Sequence, residues 1–403
     1  MPYRILCRAC QEAVEGAPDE HTCAGGPGPF EFRYDYKAVR LPRAARGMWD
    51  YADLLPLDDP INVVSLGEGG TPLLESRQTF PCQVLWKVEA QNPTGSQKDR
   101  ALALAVAKAR ELRRQRIVIA STGSAGLACA AYSARGGLPC VVLVPAGTPL
   151  ERLLPMQTLG ATVVEVQGTF RDIERLLDRL RGTSWYDATT KRVANPYQME
   201  APKTIAYEIV DELGRAPDWI VVPVGGGATL HGIWQGFEDL RQLGRIVQIP
   251  QLAAVQPARF NTLEVALAQG LVTQTELEGI AVDERIETVA RNLKHGVPPD
   301  GADALLAVRR SGGTALSVED GEVRAWQKRL GVREGIFCEP SSAVAPAALA
   351  GLLENGHISD DDVVVVVISG SGFREIGVLP LEPMTKLGAD ALAEDLDHAL
   401  TSR

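Results

Sequence analysis

The sequence of 403 residues has few aromatic side chains and no long apolar segment. Phe, Trp and Tyr make up 5% of it, and the excess of acidic over basic residues gives a formal net charge of −10. The basic, aromatic-interleaved stripe typical of nucleic-acid binding is absent. No apolar run approaches the roughly 20 residues of a transmembrane helix, and MPYRILCRAC lacks a signal-peptide core. We therefore expect a cytoplasmic protein without nucleic-acid or membrane partners.

Cysteine is also scarce, and its seven copies are scattered along the chain. An odd, irregularly spaced set in a chain of this size predicts reduced thiols and no disulfide framework. Near the N-terminus, three thiolates and one imidazole could hold a structural zinc ion: Cys7, Cys10, His21 and Cys23. The spacing is irregular, and Gly26 stands where a fourth Cys would fall. The alternative is a small Cys-containing knuckle that keeps its shape without metal.

From Ile61 onward, short β-branched apolar runs alternate with helical patterns. The predicted strands are QVLWKVEA, RIVIAST, CVVLVPA, ATVVEVQ, WIVVPVGGG, QLAAVQP and DDVVVVVISGSG. Continuous apolar strands separated by helices indicate parallel-rich sheets flanked by helices, that is, an α/β fold with two lobes. The expected division is an N-terminal knuckle and arm (1–47), a large lobe (48–115 and 186–382), a small lobe (116–185) and a C-terminal tail (383–403).

The stretch NPTGSQKDR places Lys98 between a predicted strand and a predicted helix. The positive end of a helix dipole disfavours a cation there, and partial burial lowers an amine's pKa. A neutral amine can attack an aldehyde and form a Schiff base. The alternative is a solvated lysine paired with Asp99. A P-loop is excluded, because the chain contains no G-x-x-x-x-G-K-[ST] pattern.

Three further polar loops each follow a predicted strand. One of these loops precedes a predicted helix and contains Ser121, Thr122, Gly123 and Ser124. The N-terminal amides of that helix suit a carboxylate. The alternative is that Ser or Thr simply caps the helix. Another forms a nest for a monophosphate; it contains Gly225, Gly226, Gly227, Ala228 and Thr229. In the last, Ser369 offers a hydroxyl to a neutral pyridine nitrogen, although such a stretch is more often a turn. With Lys98, the loops predict pyridoxal 5′-phosphate as the cofactor.

These loops, in this order, resemble the threonine synthases of the tryptophan-synthase-β-like (fold type II) superfamily. The likeness covers nearly the whole chain and includes GEGGTPL, NPTGSQKDR, STGSAG, NPYQMEAPKT, PVGGGATLHGIWQGF and CEPSSA. It implies that Lys98 is the Schiff-base lysine and proton shuttle, that Gly225 through Thr229 cradle the cofactor phosphate, and that Ser369 faces the pyridine nitrogen. It also implies that Ser124 contacts the cofactor and that Ser121 through Ser124 receive the substrate carboxylate.

The resemblance implies a lyase or replacement enzyme acting on a small amino acid with a leaving group at Cβ or Cγ. Threonine synthases convert O-phosphohomoserine and water to threonine and phosphate. Some residues on the substrate side depart from the family pattern: Ser124 replaces Asn, and Gln198, three residues after Asn195, replaces Arg. Arg175 could supply a phosphate contact, or it could be a solvated helix residue.

Three alternatives therefore stay open. The chain could be a threonine synthase, or a specialised relative with cysteate-synthase-like or dehydratase chemistry on another substrate. It could also be a catalytically inactive scaffold, against which Lys98 and the glycine nest argue. The superfamily implies a homodimer.

Overall fold

The structure is a computed structural model that describes residues 3–8, 10–14, 30–42, 44–168, 170–283 and 285–376. The strands in these ranges are β1 (Tyr3–Cys7), β2 (Phe30–Tyr34), β3 (Leu73–Glu75), β4 (Gln83–Lys87), β5 (Arg116–Ala120), β6 (Cys140–Pro145), β7 (Thr162–Val166), β8 (Trp185–Asp187), β9 (Trp219–Pro223), β10 (Gln251–Pro257), β11 (Thr314–Val318) and β12 (Val363–Val367). The predicted 383–403 tail lies outside the described residues.

The helices lie between these strands in the chain. They are α1 (Lys98–Glu111), α2 (Ser124–Gly136), α3 (Leu150–Thr158), α4 (Phe170–Asp178), α5 (Lys203–Leu213), α6 (Ala228–Gln242), α7 (Thr262–Ala268), α8 (Gln274–Glu278), α9 (Gly301–Arg310), α10 (Asp320–Glu334), α11 (Pro340–Ala347) and α12 (Leu349–Glu354). No helix in the described ranges is both long enough and apolar enough to cross a membrane.

The larger sheet has six strands in the order β11-β10-β9-β12-β4-β3. Its pairs are parallel except at one edge, where β3 runs antiparallel to β4. All five residues of β12 are buried. They alternate between two cores, with Val363, Val365 and Val367 in one and Val364 and Val366 in the other. A central strand covered on both faces therefore explains the unbroken run of valines.

The smaller sheet has four parallel strands in the order β7-β6-β5-β8. It is built from residues 116–187, and helices α2, α3 and α4 pack against it. The predicted α/β architecture is confirmed, including every one of the seven strands predicted from apolar runs. The antiparallel edge strand β3, the N-terminal hairpin of β1 and β2, and strands β8 and β11 were not predicted.

The strand order brings three of the four polar loops together. Strands β9, β12 and β4 are neighbours and parallel, so their carboxyl ends lie at the same edge of the larger sheet. The loops containing Gly225 and Ser369 follow β9 and β12 directly, and Lys98 follows β4 after residues 88–97. The fourth loop, with Ser124, follows β5 of the smaller sheet. A cleft beyond the carboxyl ends is where ligands bind in open α/β sheets.

Candidate active site

The turn before Lys98 is held by the residue that follows it. The buried carboxylate of Asp99 accepts hydrogen bonds from the main-chain nitrogen of Thr94 at 3.1 Å, the Thr94 hydroxyl at 2.9 Å and the main-chain nitrogen of Ser96 at 3.3 Å. A short polar loop is thereby tied to the first turn of α1. The base of the Lys98 side chain is fixed as a result.

Lys98 is half-buried, and no carboxylate forms an ion pair with it within the described part of the chain. Burial lowers the pKa of its amine to about 8, while the negative charge of Asp300 opposes that shift. A substantial fraction of the amine is therefore neutral near physiological pH. Such an amine is competent to attack an aldehyde.

The Ser369 loop pairs with the Lys98 loop through main-chain hydrogen bonds. The nitrogen of Gln97 donates to the carbonyl of Ser369 at 2.9 Å, and the nitrogen of Ser371 donates to the carbonyl of Gly95 at 2.8 Å. The Ser369 hydroxyl is half-buried and lies 2.9 Å from the Ser342 hydroxyl. The predicted neighbours Lys98 and Ser369 are thus brought to one place.

Two of the three glycines in the triple-glycine turn, Gly225 and Gly227, leave little room for a side chain. A Cβ at Gly227, where φ is +102°, would lie 2.5 Å from the carbonyl oxygen of Asp300. A Cβ at Gly225 would lie 3.1 Å from the carbonyl oxygen of Asn292. Helix α6 begins at Ala228 without a side-chain cap or an acidic residue in its first turn. Uncapped amides at a helix N-terminus favour an anion.

The Ser124 loop closes the cleft from the smaller sheet. The Ser121 hydroxyl accepts hydrogen bonds from the nitrogens of Gly123 at 3.2 Å and Gly126 at 3.1 Å. The Ser124 hydroxyl accepts a hydrogen bond of 2.5 Å from Nη2 of Arg374. Of the predicted carboxylate site, Ser121 therefore shapes the turn, while Ser124 faces a cation.

Arg374 and Asn292 are site residues that sequence reasoning missed. Nη1 of Arg374 also donates to the carbonyl of Gly95 at 3.4 Å, so this side chain joins the Lys98 loop to the Ser124 loop. Nδ2 of Asn292 donates to Glu339 at 3.1 Å, and its Oδ1 lies 3.0 Å from where a Gly123 Cβ would stand. The motif CEPSSA, which contains Glu339, was visible in the sequence, but it did not show which loop it faces.

The predicted substrate-side residues have different surroundings. Asn195 accepts a hydrogen bond from the Tyr186 hydroxyl at 3.0 Å. Its Nδ2 and the Nε2 of Gln198 are buried and have no partner among the described residues. Arg175 lies on α4 with 73% of its side chain exposed, 3.0 Å from Asp172.

The residues present fit pyridoxal phosphate. The uncapped nest at 225–229 suits a dianionic phosphate, the partly neutral amine of Lys98 suits an aldehyde, and the Ser369 hydroxyl suits a ring nitrogen. The three groups come from adjacent parallel strands. The arrangement can therefore bind the phosphate, the aldehyde and the ring nitrogen of one cofactor molecule.

The predicted N-terminal metal set is only partly described. Cys7 is buried at the end of β1, and Cys10 is half-buried three residues later. His21 and Cys23 lie outside the described residues. Within the described ranges, no group of three or more His, Cys, Asp or Glu side chains is placed to hold a metal ion.

Comparisons with known proteins show the family. Residues 64–370 match the family described as pyridoxal-phosphate dependent enzyme. Threonine synthase of Methanocaldococcus jannaschii is 34% identical over 92% of this chain and 92% of its own. Threonine synthase of Methanosarcina acetivorans is 36% identical over 91% of each chain.

Solved structures agree on the fold. A fungal L-serine ammonia-lyase from Rhizomucor miehei superposes with a TM-score of 0.63, with 19% identity, over 82% of this chain and 97% of that one. Serine racemase from Dictyostelium discoideum superposes with a TM-score of 0.60, with 22% identity, over 75% and 92%.

Proposed function

Since the chain belongs to the pyridoxal-phosphate dependent enzyme family, we propose that it is a lyase of the threonine synthase type, with O-phosphohomoserine and water as substrates. In this reaction the C–O bond at Cγ breaks and releases phosphate, and water then adds at Cβ to give threonine.

Lys98 would hold the cofactor aldehyde and, once displaced by the substrate amine, take the proton from Cα. Its pKa of about 8 suits this task, because a base works best when its pKa lies near the working pH. When bound, the cofactor stabilises negative charge at the substrate carbon.

The other residues would bind and orient. The nest at 225–229 would hold the cofactor phosphate, and Ser369 the ring nitrogen. The amides at the start of α2, with Ser121 through Ser124, would receive the substrate carboxylate, and the Arg374 guanidinium beside Ser124 favours an anion there. The half-buried Lys98, which lacks an ion-pair partner in the described ranges and lies next to Ser369, is the observation that carries the proposal.

Incubation of the cofactor-loaded protein with O-phosphohomoserine, O-phosphoserine and threonine tests the proposal. We expect phosphate and threonine from the first substrate alone. Phosphate from O-phosphoserine, or ammonia from threonine, would instead assign a different lyase. A colourless protein after loading would indicate a scaffold without cofactor.

A second candidate is a specialised relative acting on a substrate without the distal phosphate. Gln198, a neutral amide, stands buried on the predicted substrate side, and its Nε2 has no partner among the residues described. The unpartnered nitrogen calls for a hydrogen-bond acceptor in the ligand, and a neutral amide brings no positive charge to a phosphate dianion. Such an enzyme would turn over threonine faster than O-phosphohomoserine.

Further expectations concern the protein as a whole. We expect a cytoplasmic homodimer whose small lobe comprises residues 116–185. Arg175 as a phosphate contact and zinc at Cys7, Cys10, His21 and Cys23 also stay predictions. Sedimentation and metal analysis of the full chain test the oligomer and the zinc, respectively.

A further inference from the structure

Of the four polar loops at the cleft, only the Ser124 loop comes from the smaller sheet. The Lys98 loop, the Ser369 loop and the glycine nest all follow strands of the larger sheet. Helices α1 and α2 share one apolar core, but apolar packing has no preferred direction. Directed contacts across the cleft are therefore needed to hold the Ser124 loop at a fixed distance from Lys98.

The side chain of Arg374 makes the first of these contacts. Its Nη2 donates to the hydroxyl of Ser124 at 2.5 Å, and its Nη1 donates to the carbonyl of Gly95 at 3.4 Å. Glu339 lies 3.9 Å from Nη1. A Cβ at Gly95, where φ is +83°, would lie 3.0 Å from Cδ of Arg374. The glycine before Lys98 thus leaves room for the arginine to cross.

The next residue, Glu375, makes a second contact across the cleft. Its Oε1 accepts hydrogen bonds from Nη2 of Arg152 on α3 at 2.6 Å and from Nδ2 of Asn292 at 3.3 Å. The nitrogen of Asn292 in turn donates to the hydroxyl of Ser341 on α11, a helix that packs on the larger sheet. Glu375 therefore joins a helix of the smaller sheet to the larger-sheet side.

The ion pair of Arg152 and Glu375 is largely shielded from water, with 17% and 6% of the two side chains exposed. Removal of one partner from such a pair leaves the other charge buried without compensation. The same loss in an exposed pair has little effect. The contact between Glu375 and α3 should therefore be a strong one.

Main-chain hydrogen bonds fix the segment that carries both side chains. The nitrogen of Ser371 donates to the carbonyl of Gly95 at 2.8 Å, and the nitrogen of Gly372 donates to the carbonyl of Phe337 at 2.9 Å. A Cβ at Gly372 would lie 2.6 Å from the Phe337 ring. Two consecutive side chains thus extend from a fixed turn of the larger-sheet side to two different helices of the smaller sheet.

We infer that Arg374 and Glu375 are positioning residues that form a clasp between the two sides of the cleft. The clasp consists of the contacts of Arg374 with Ser124 and Gly95 and those of Glu375 with Arg152 and Asn292. It sets the distance of the Ser124 loop from Lys98. Its meaning for catalysis rests on the proposed function, whereas the clasp itself needs only these contacts.

The clasp should affect the substrate more than the cofactor. The groups proposed to hold the cofactor phosphate, aldehyde and ring nitrogen all lie on the larger-sheet side. The Ser124 loop, proposed to receive the substrate carboxylate, lies across the cleft from them. A loosened clasp should therefore weaken substrate binding and leave attachment of the cofactor to Lys98 unchanged. A general loss of stability would weaken both.

Hydrogen–deuterium exchange of the full chain tests the clasp directly, in Arg152→Gln, in Glu375→Gln and in the double variant. We expect each single variant to exchange at least about fivefold faster over residues 121–130 and 148–158, because a largely buried charge loses its partner and the segment opens more often. Exchange over 98–111 should not change. The double variant should exchange more slowly than either single one, since no lone charge remains.

Steady-state kinetics of the cofactor-loaded protein with O-phosphohomoserine supply the second readout. Arg152 lies outside the groups proposed to bind ligands, so Arg152→Gln can act only through position. We expect its KM to rise about tenfold while kcat stays within about twofold. The absorbance of the attached cofactor should match that of the wild type. Arg374→Lys keeps the cation and should have a lower KM than Arg374→Gln.

Arg181→Gln is the matched control. Arg181 also belongs to the smaller-sheet side, where it pairs with Asp178 at 3.2 Å. It precedes β8, which is parallel to β5, and so lies at the edge of that sheet opposite to the Ser124 loop. Its loss should leave the exchange, the KM and the cofactor absorbance unchanged.

Unchanged exchange in both single variants overturns the clasp, as do effects that simply multiply in the double variant. An equal loss of cofactor attachment and substrate binding would also overturn it, since that result shows only reduced stability. Equal KM values for Arg374→Lys and Arg374→Gln would exclude Arg374 from it. Wild-type protein that makes no threonine from O-phosphohomoserine contradicts the proposed function alone, because the exchange measurement needs neither cofactor nor substrate.

Discussion

Lys98 and Arg100 lie two residues apart at the start of α1, and their surroundings are opposite. Arg100 is fully buried, with ion pairs of 2.7 Å to Glu89 and 2.5 Å to Glu208. Lys98 is half-buried and has no ion-pair partner within the described part of the chain. The first turn of α1 thus carries Arg100, whose charge is paired with buried carboxylates, and Lys98, whose amine is left available for reaction.

The paired charges around Arg100 extend beneath the cleft. Lys87 on β4 lies 2.9 Å from Glu208 and donates to the carbonyl of Thr71 at 2.6 Å. Arg100 also donates to the hydroxyl of Thr204 at 2.9 Å. These contacts join β4, α1 and α5. The buried charges beneath the cleft therefore have partners, whereas some buried polar atoms on the predicted substrate side have none among the described residues.

The largest expected effect comes from removing the free charge. Lys98→Ala should abolish covalent attachment of pyridoxal phosphate and lower turnover by at least about 10³-fold, because nucleophile and base are lost together. Absorbance and mass spectrometry after borohydride reduction measure the attachment. The unfolding midpoint should change little, since the amine makes no ion pair in the described structure.

Lys294→Ala is the matched control. Lys294 lies two residues after the cleft residue Asn292. Its amine forms an ion pair of 2.7 Å with Glu287. It should keep the adduct and the activity. An adduct that persists in Lys98→Ala, on any other side chain, contradicts the site described above.

Removing the matched charge should cost stability. Arg100→Met keeps much of the side-chain volume but leaves Glu89 buried without its cation and Glu208 with Lys87 alone. The expected loss is about 3–5 kcal/mol in the free energy of unfolding, measured in urea.

Arg245→Met provides the comparison, because this half-exposed arginine lies 3.5 Å from Asp211. Its loss should change the free energy of unfolding by less than about 1 kcal/mol. Equal effects of the two substitutions would mean that the Arg100 network contributes no more than a surface pair.

The sequence predicted those parts of the molecule that depend on local pattern. Unbroken valines predicted the buried strand β12, and the glycines at 225–227 predicted a turn between a strand and a helix. The short strand β3 has only three residues, two of them exposed, so periodicity could not reveal it.

Side-chain neighbours distant in the chain could not be predicted in this way. Arg374 meets Ser124 across 250 positions, and Asp300 meets the nitrogen of Arg192 across 108. Such pairings depend on how the two sheets and their loops come together. The residue types in the loops indicated the cofactor, but the contacts between one loop and another became visible only in the structure.

The smallest expected effect concerns the pH at which the free charge becomes reactive. Burial lowers the pKa of Lys98 from 10.5 to about 8, so the neutral amine increases as the pH rises to 8 and is nearly complete above 9. The rate of cofactor attachment, followed by visible absorbance, should rise about tenfold per pH unit below 8 and then level off. A rate that keeps rising to pH 10 would show that Lys98 titrates like a solvated lysine, and the contrast with Arg100 would then be one of packing alone.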